Sequence, residues 1–185
     1  MALTESTMLE LGTEAPDFAL RDVISGKTVR RDDFRDKKAL LVMFICAHCP
    51  YVKHIEKSLG KLGADYASKP IAIVAISSND AIAYPSDNPE GLKAQAKANG
   101  FTFPYLYDES QAVAHAYKAA CTPDIYLFDA GFKLLYRGQY DSSRPGNGVP
   151  VTGEDLRNAI DTVLARRPVS SDQRPSIGCN IKWKG

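Results

Sequence analysis

The run Ala39-Leu40-Leu41-Val42-Met43-Phe44-Ile45, followed at once by Cys46-Ala47-His48-Cys49-Pro50, constrains this chain more than any other segment. Such a continuous apolar stretch suits a strand buried on both faces, at the centre of a sheet covered by helices. Pro50 then fits the first position of a helix, where its missing N–H costs nothing. After it Val52, Ile55, Leu59, Leu62 and Tyr66 recur at three- and four-residue spacing, the mark of one buried helical face. The strand therefore delivers two cysteines to a helix start. Unpaired backbone N–H groups and the positive end of the helix dipole favour thiolate there, and can lower a thiol pKa of about 8.5 to roughly 3.5–7.5.

Two registers assign the nucleophile differently. If Cys46 leads an ordinary C-x-x-C pair, it leaves the strand directly after Ile45 and almost no loop remains. If residues 45–48 are the loop, of usual strand-to-helix length, Cys49 is the helix N-cap. The second register is preferred, so Cys49 is the expected nucleophile, with a buried structural cysteine as the plain alternative. Cys46 is either a nearby resolving partner or a packing residue. His48, immediately before Cys49, either favours thiolate through its imidazole or is an exposed loop histidine. Lys53, one turn into the helix on the same face, is a candidate to hold the thiolate, with a solvated lysine as its alternative. His54 and His115 read as surface residues.

Composition narrows the classes. One hundred and eighty-five residues with 44% hydrophobic content suit one globular domain with a real core. A net charge of +1 provides no basic field for nucleic acid. The start Met1-Ala2-Leu3-Thr4-Glu5-Ser6-Thr7 lacks a basic and then apolar leader, and no run approaches membrane-spanning length, so cytoplasmic residence without a membrane partner is expected. In that compartment four cysteines point to catalysis or reduced thiols rather than a structural disulfide framework. A single C-x-x-C, without a second knuckle or paired histidines, argues against a zinc site; no metal or other cofactor is expected.

Along the chain, residues 18–21 and 28–30 read as a hairpin around Ser25-Gly26-Lys27, and 71–76 as a second central strand. Helices are expected from Asn88-Pro89-Glu90 to about Asn99, from Glu109 to Lys118, and after Thr152, which would cap the last helix with Asp155 three residues on. Residues 103–107 form a short strand, and 124–128 with 133–137 a hairpin. The sum is an α/β fold, a central mixed sheet flanked by helices, with an N-terminal hairpin. Residues 1–11 read as flexible, 12–165 as the domain and 166–185 as a tail. Loops 77–88 and 138–151 are long enough to suggest function.

From about Gly12 to Leu164 the chain resembles the thioredoxin-fold redoxins, the group of alkyl hydroperoxide reductase-type peroxiredoxins and their thioredoxin-like relatives. Gly12-Thr13-Glu14-Ala15-Pro16-Asp17-Phe18 resembles their opening strand motif, and Cys121-Thr122-Pro123-Asp124-Ile125-Tyr126-Leu127-Phe128-Asp129 their cis-proline segment. Aligned from Phe44, Cys49 falls on the first thioredoxin-motif cysteine and Val52 on the second. Cys46 stands where the peroxidatic T-x-x-C motif has threonine. The nearest match is the peroxiredoxin-like subgroup.

The resemblance implies a thiol-dependent oxidoreductase with antioxidant activity, acting on peroxide or protein disulfides and recharged by an unidentified thiol donor. A redox-inactive or redox-sensing binding module is the alternative. It implies a cis Thr122–Pro123 bond facing the cysteines and offering backbone groups to an extended substrate, with Cys121 close by, and an arginine, Arg144, near the thiolate. His48 resembles the histidine of the C-x-H-C motifs of oxidising disulfide-exchange proteins.

The tail has linker composition from Ala165 to Ser176. It then alternates Ile177, Cys179, Ile181 and Trp183 with polar residues, so an extended segment would present all four on one face and dock on the body or, in a homodimer, on another subunit. Cys179 is then either a distal resolving cysteine, as in two-cysteine peroxiredoxins, or a packing residue beside Trp183.

Overall fold

A computed structural model of the chain describes residues 2–185. The apolar run forms β4 (Ala39–Phe44), with every residue buried, between two other buried strands. It pairs in parallel with β5 (Ile71–Ser77), Ala39 opposite Ile71 and Phe44 opposite Ile76, and antiparallel with β8 (Asp124–Asp129), Phe44 opposite Asp124. Around these three lie β2 (Ala19–Asp22), β3 (Thr28–Arg30), β6 (Tyr105–Tyr107) and β9 (Leu134–Arg137), giving the order β3-β2-β6-β5-β4-β8-β9. It is a mixed α/β sandwich built on a central mixed sheet.

Alternation along β4 feeds two cores. Leu41, Met43 and Ile45 pack with Val52, Ile55, Leu59 and Leu62 of α1 (Pro50–Asp65), with Leu92 of α2 (Pro89–Ala98) and with Leu156 and Ile160 of α4 (Glu154–Leu164). Leu40, Val42 and Phe44 face the other way, onto Val113 and Ala114 of the short α3 (Ala112–Ala116) and onto Tyr117 and Ile181. Truncating one such residue, Leu59 for example, would leave a cavity and cost about 2–5 kcal/mol. The loop that follows β4 is thus anchored to a strand buried against cores on both faces.

A second, three-stranded sheet joins the chain ends in the order β1-β10-β7: β1 (Leu3–Glu5), β10 (Ile177–Asn180) and β7 (Cys121–Thr122). Leu3 and Thr122 both lie opposite Cys179.

Several expectations change here. The start read as flexible is a strand from Leu3 to Glu5, because β10 supplies the ladder that so short a segment lacks alone; Met1 lies outside the described residues. The last helix begins after Gly153, whose φ of +70° ends the loop. Thr152 and Gly153 donate their backbone N–H groups to Asp141 Oδ2, both at 2.7 Å, and Thr152 Oγ1 accepts the Glu154 N–H at 3.2 Å, so Asp141 shares that entry with Thr152. The helix over 109–118 shrinks to five residues, since Asp108 takes the Val113 and Ala114 N–H groups and Gln111 adopts a left-handed backbone.

Residues 166–176 also differ from a loose linker. Gln139 N–H donates to the Arg174 carbonyl and Ser176 Oγ to the Gly138 carbonyl, both at 2.8 Å, and Gln173 Oε1 accepts from Arg137. The four-residue apolar stripe of the tail divides: Cys179 enters the α1 core and Ile181 the opposite one. Trp183 stacks on His115 with ring centroids 4.1 Å apart and remains 39% exposed.

Candidate active site

Cys49 is the N-cap of α1, with extended φ and ψ of −69° and 126°, and Pro50 follows at the first turn. Its carbonyl accepts the Val52 and Lys53 N–H groups at 3.1 and 2.9 Å, which closes the first turn beneath the sulfur. Cys49 is fully buried. Its sulfur is bonded to that of Cys179, 130 residues away, with the two Cα atoms 6.2 Å apart. The second contact of the Cys49 sulfur is the Thr122 carbonyl at 3.4 Å, an acceptor for the thiol when the pair is reduced. The Thr122–Pro123 peptide bond is cis. Strand β7 thus lies against both partners of the disulfide: Thr122 touches Cys49 by its carbonyl and pairs with Cys179 in the ladder.

The loop between β4 and α1 is fastened by Asp87, a residue that sequence reasoning passed over. This fully buried carboxylate accepts the Ala47 N–H at 2.7 Å and the His48 N–H at 3.1 Å through Oδ1. Its Oδ2 meets His48 Nδ1 in a short contact and accepts from Asn79 Nδ2 at 2.9 Å. Burial pushes the Asp87 carboxyl up, but hydrogen bonds from His48 and Asn79 outweigh it and hold the pKa below its ordinary value. The same contact, followed by the Cys46 sulfur, raises His48 from 6.5 to about 9, so the imidazole is a cation at neutral pH. Tyr84 stacks on it at 4.9 Å.

Asn79 continues the chain of contacts: its Oδ1 accepts the Lys182 N–H at 2.8 Å. One network therefore runs from the cysteine loop through Asp87 and Asn79 to the tail. The signal for Asp87 was its place in the long loop at 77–88, but its partner lies about forty residues away in sequence.

Cys46 is buried, its sulfur 3.6 Å from Thr122 Oγ1 and its carbonyl accepting from Gln95 Nε2 at 2.9 Å. Cys121 is buried too; desolvation drives its thiol pKa far above the ordinary range, and the sulfur contacts the Pro123 carbonyl. Donor atoms of Cys46, His48 and Asp87 lie within 4.8 Å of one another. The Asp87 oxygens already accept four hydrogen bonds, which a cation would have to displace.

Two expected residues make their hydrogen bonds elsewhere, although Arg144 also lines a small pocket with Tyr51, Pro123 and Ile177. The Arg144 guanidinium donates to the carbonyls of Asp141 and Ser143 and to Gln139 Oε1, all at 2.8 Å, and so braces its own loop. Lys53 is exposed, and it is its backbone N–H that reaches Cys49. His115 is exposed, whereas His54 is half-buried with its Nε2 enclosed.

A thioredoxin-like α/β frame with a cysteine at a helix N-cap, opposite a cis-proline loop, defines a thiol redox protein. The chain belongs to the AhpC/TSA family, whose model matches residues 11–137. It is 29% identical over 131 residues to the thiol-disulfide oxidoreductase ResA of Geobacillus thermodenitrificans, covering 71% of this chain and 70% of that protein. Among solved structures it is similar to an uncharacterized conserved protein from Geobacillus kaustophilus, at 55% identity and a TM-score of 0.97, covering 100% of this chain and 97% of the other. The thioredoxin domain of a thiol-disulfide oxidoreductase from Bacteroides vulgatus shares the fold at 22% identity and a TM-score of 0.66, over 84% and 99% of the two chains. Cys179 lies beyond the span matched by the family model.

Proposed function

We propose that the chain reduces disulfides of other polypeptides, with Cys49 as nucleophile and Cys179 as resolving cysteine. The observation that carries this reading is the bond between the helix-capping Cys49 and the tail's Cys179. A Cα separation of 6.2 Å lies within the range that disulfides require, so the reduced pair is already placed to close.

In the forward cycle the Cys49 thiolate, favoured by the helix N-terminus, attacks one sulfur of the substrate disulfide. The substrate S–S bond breaks, one substrate thiolate leaves and takes a proton, and a mixed disulfide forms on Cys49. The Cys179 thiolate then attacks the Cys49 sulfur and releases the second substrate thiolate. The substrate gains two electrons and the pair loses them. An external dithiol donor restores the pair by the same exchange in reverse.

Disulfide is favoured over peroxide on two observations: Cys46 occupies the place of the peroxidatic threonine, and Arg144 is engaged by its own loop. Docking of the tail on its own body supports an intrachain cycle over a homodimer. For the compartment, the cytoplasm remains the reading from composition; among the described residues no helix is long and apolar enough to cross a membrane. Peptide mapping after one equivalent of a protein disulfide tests the assignment. A Cys49–Cys179 link in the wild type and a trapped mixed disulfide on Cys49 in Cys179→Ser are expected; a Cys46–Cys49 link as the product would replace Cys179 by Cys46.

A further inference from the structure

The tail of this chain sits in the active-site groove as a bound peptide would, and its contacts specify what the groove accepts. Main-chain groups hold it: Asn180 N–H donates to the Ala2 carbonyl at 3.2 Å, Ile181 N–H to the Ala120 carbonyl at 3.1 Å, and Lys182 N–H to Asn79 Oδ1 at 2.8 Å. The Lys182 carbonyl in turn accepts the Asp80 N–H at 2.8 Å. This is recognition by strand addition, in which the backbone provides the affinity and side-chain pockets the selectivity.

Two side-chain positions are restrictive. A Cβ on Gly178 would stand 1.9 Å from the Thr122 carbonyl oxygen and 3.3 Å from Pro123 Cδ, a clash with backbone that only a shift of the strand could relieve. Ile181 is 1% exposed, so an apolar residue is required two positions after the cysteine. Asn180, between them, is half-buried.

We infer that the groove between Thr122 and the Cys49 sulfur binds polypeptides presenting glycine immediately before the reacting cysteine and an apolar residue two positions after it. The tail is a tethered copy of that ligand, which a substrate must displace before reaching Cys49. The inference rests on Cys49 being the nucleophile. In the step concerned, the Cys49 thiolate attacks the peptide sulfur of a mixed disulfide. An Sγ–S bond to the peptide forms, and the bond to the other thiol breaks, releasing it as thiolate.

The test uses two full-length variants, Cys179→Ser and Gly178→Ala/Cys179→Ser. Each is treated with peptides Ile-Gly-Cys-Asn-Ile and Ile-Ala-Cys-Asn-Ile carrying the same chromophoric leaving thiol on cysteine, and with a small symmetrical disulfide as reference. The glycine peptide should label Cys49 about tenfold or more faster than the alanine peptide, the scale of a main-chain overpacking clash. The double variant, with its own tail pushed from the groove, should react faster than the single one with the glycine peptide. Equal rates for the two peptides overturn the inference. Rapid reaction with the small disulfide but with neither peptide overturns it too, while leaving Cys49 as nucleophile. Failure of Cys49 to react with any of the three removes the underlying reading and the inference together. Should the double variant fail to fold, the ratio of the two peptides on Cys179→Ser decides alone.

Discussion

The two cysteines of the disulfide stand on unlike supports. Cys49 follows a strand paired along its whole length on both sides, from Ala39 to Phe44, and packed between two cores. Cys179 lies in a sheet whose other members span three and two residues, built from both chain ends and the cis-proline loop. Ladder length and buried contacts set the cost of local opening, so the second support should open far below the global unfolding free energy. On the proposed assignment, the nucleophile is therefore fixed and its partner is detachable. That division suits an exchange cycle, in which Cys179 must leave Cys49 to admit substrate and return to release it.

The sharpest way to break the comparison is to exchange the roles of the cysteines. Cys49→Ser should lower the rate of reaction with a protein disulfide by about 10³-fold or more, as loss of a covalent nucleophile does. Cys46→Ser should leave the first step within about tenfold, because Cys46 is not at the helix cap. Stopped-flow measurement of thiol loss separates these outcomes, and a collapse in Cys46→Ser with an active Cys49→Ser would invert the register.

Next is the bond that fastens the thin sheet. It closes a loop spanning 130 residues, for which chain-entropy reasoning gives an upper figure of about 5 kcal/mol and the usual range of measured disulfides centres on about 3 kcal/mol. At this chain length the lower figure corresponds to a Tm lower by about 6–12 °C in Cys179→Ser or on reduction. Hydrogen exchange should show where the loss falls: β1 and β10 unprotected, β4 and β5 still protected. Equal loss in both sheets would mean that the two supports unfold as one.

A smaller effect comes from the network joining the cysteine loop to the tail. Asp87, then Cys46, raises His48 to about 9 from an unfolded value near 6.5. A raised pKa means that the folded state holds the proton more tightly, so the stabilisation is complete below pH 6.5 and is lost as pH rises through about 9. On the order of 2 kcal/mol is at stake for a half-buried imidazole. Asp87→Asn keeps an acceptor for the Ala47 and His48 N–H groups but removes the charge, and so should flatten the decline in stability between pH 6.5 and 9. Denaturant titrations of both proteins across that window provide the check; parallel curves would exclude the pair as its source.

What could be read from the sequence follows the reach of each signal. The buried run of β4, the helical spacing after Pro50 and the Asn88 cap of α2 are encoded within a few residues, and all appear in the structure. Asp87 was illegible because an acidic residue in a polar loop carries no mark of a partner about forty residues away. The start at Leu3–Glu5 and the segment 166–176 looked loose because their hydrogen bonds run to distant strands, which composition does not encode. Arg144 was placed by analogy with other sites, whereas here the nearby carbonyls of Asp141 and Ser143 use its guanidinium.

Trp183 provides the smallest and most local reading of the comparison. Alternation in the tail places it on the face of Cys179 and Ile181, docked with them. In the structure β10 ends at Asn180, and Trp183 lies beyond it, stacked on His115 and 39% exposed. As the single tryptophan of the chain, it reports the end of the tail without interference from other indoles. Oxidised protein should emit between the buried and the fully exposed limits. Reduction of Cys49–Cys179 removes the covalent hold but leaves the Lys182–Asn79, Lys182–Asp80 and Lys182–Gln111 contacts one residue before the stack and the Lys184–Gln111 contact one residue after it. A small red shift is therefore expected on reduction at neutral pH, completed to the exposed limit only in denaturant. Asn79→Ala, which cuts the hydrogen-bonded link from Asp87 through Asn79 to the tail, should enlarge the shift in the reduced protein and leave the oxidised spectrum nearly unchanged. An equal shift in both redox states would show that the disulfide, four residues upstream, has no hold on the end of the tail.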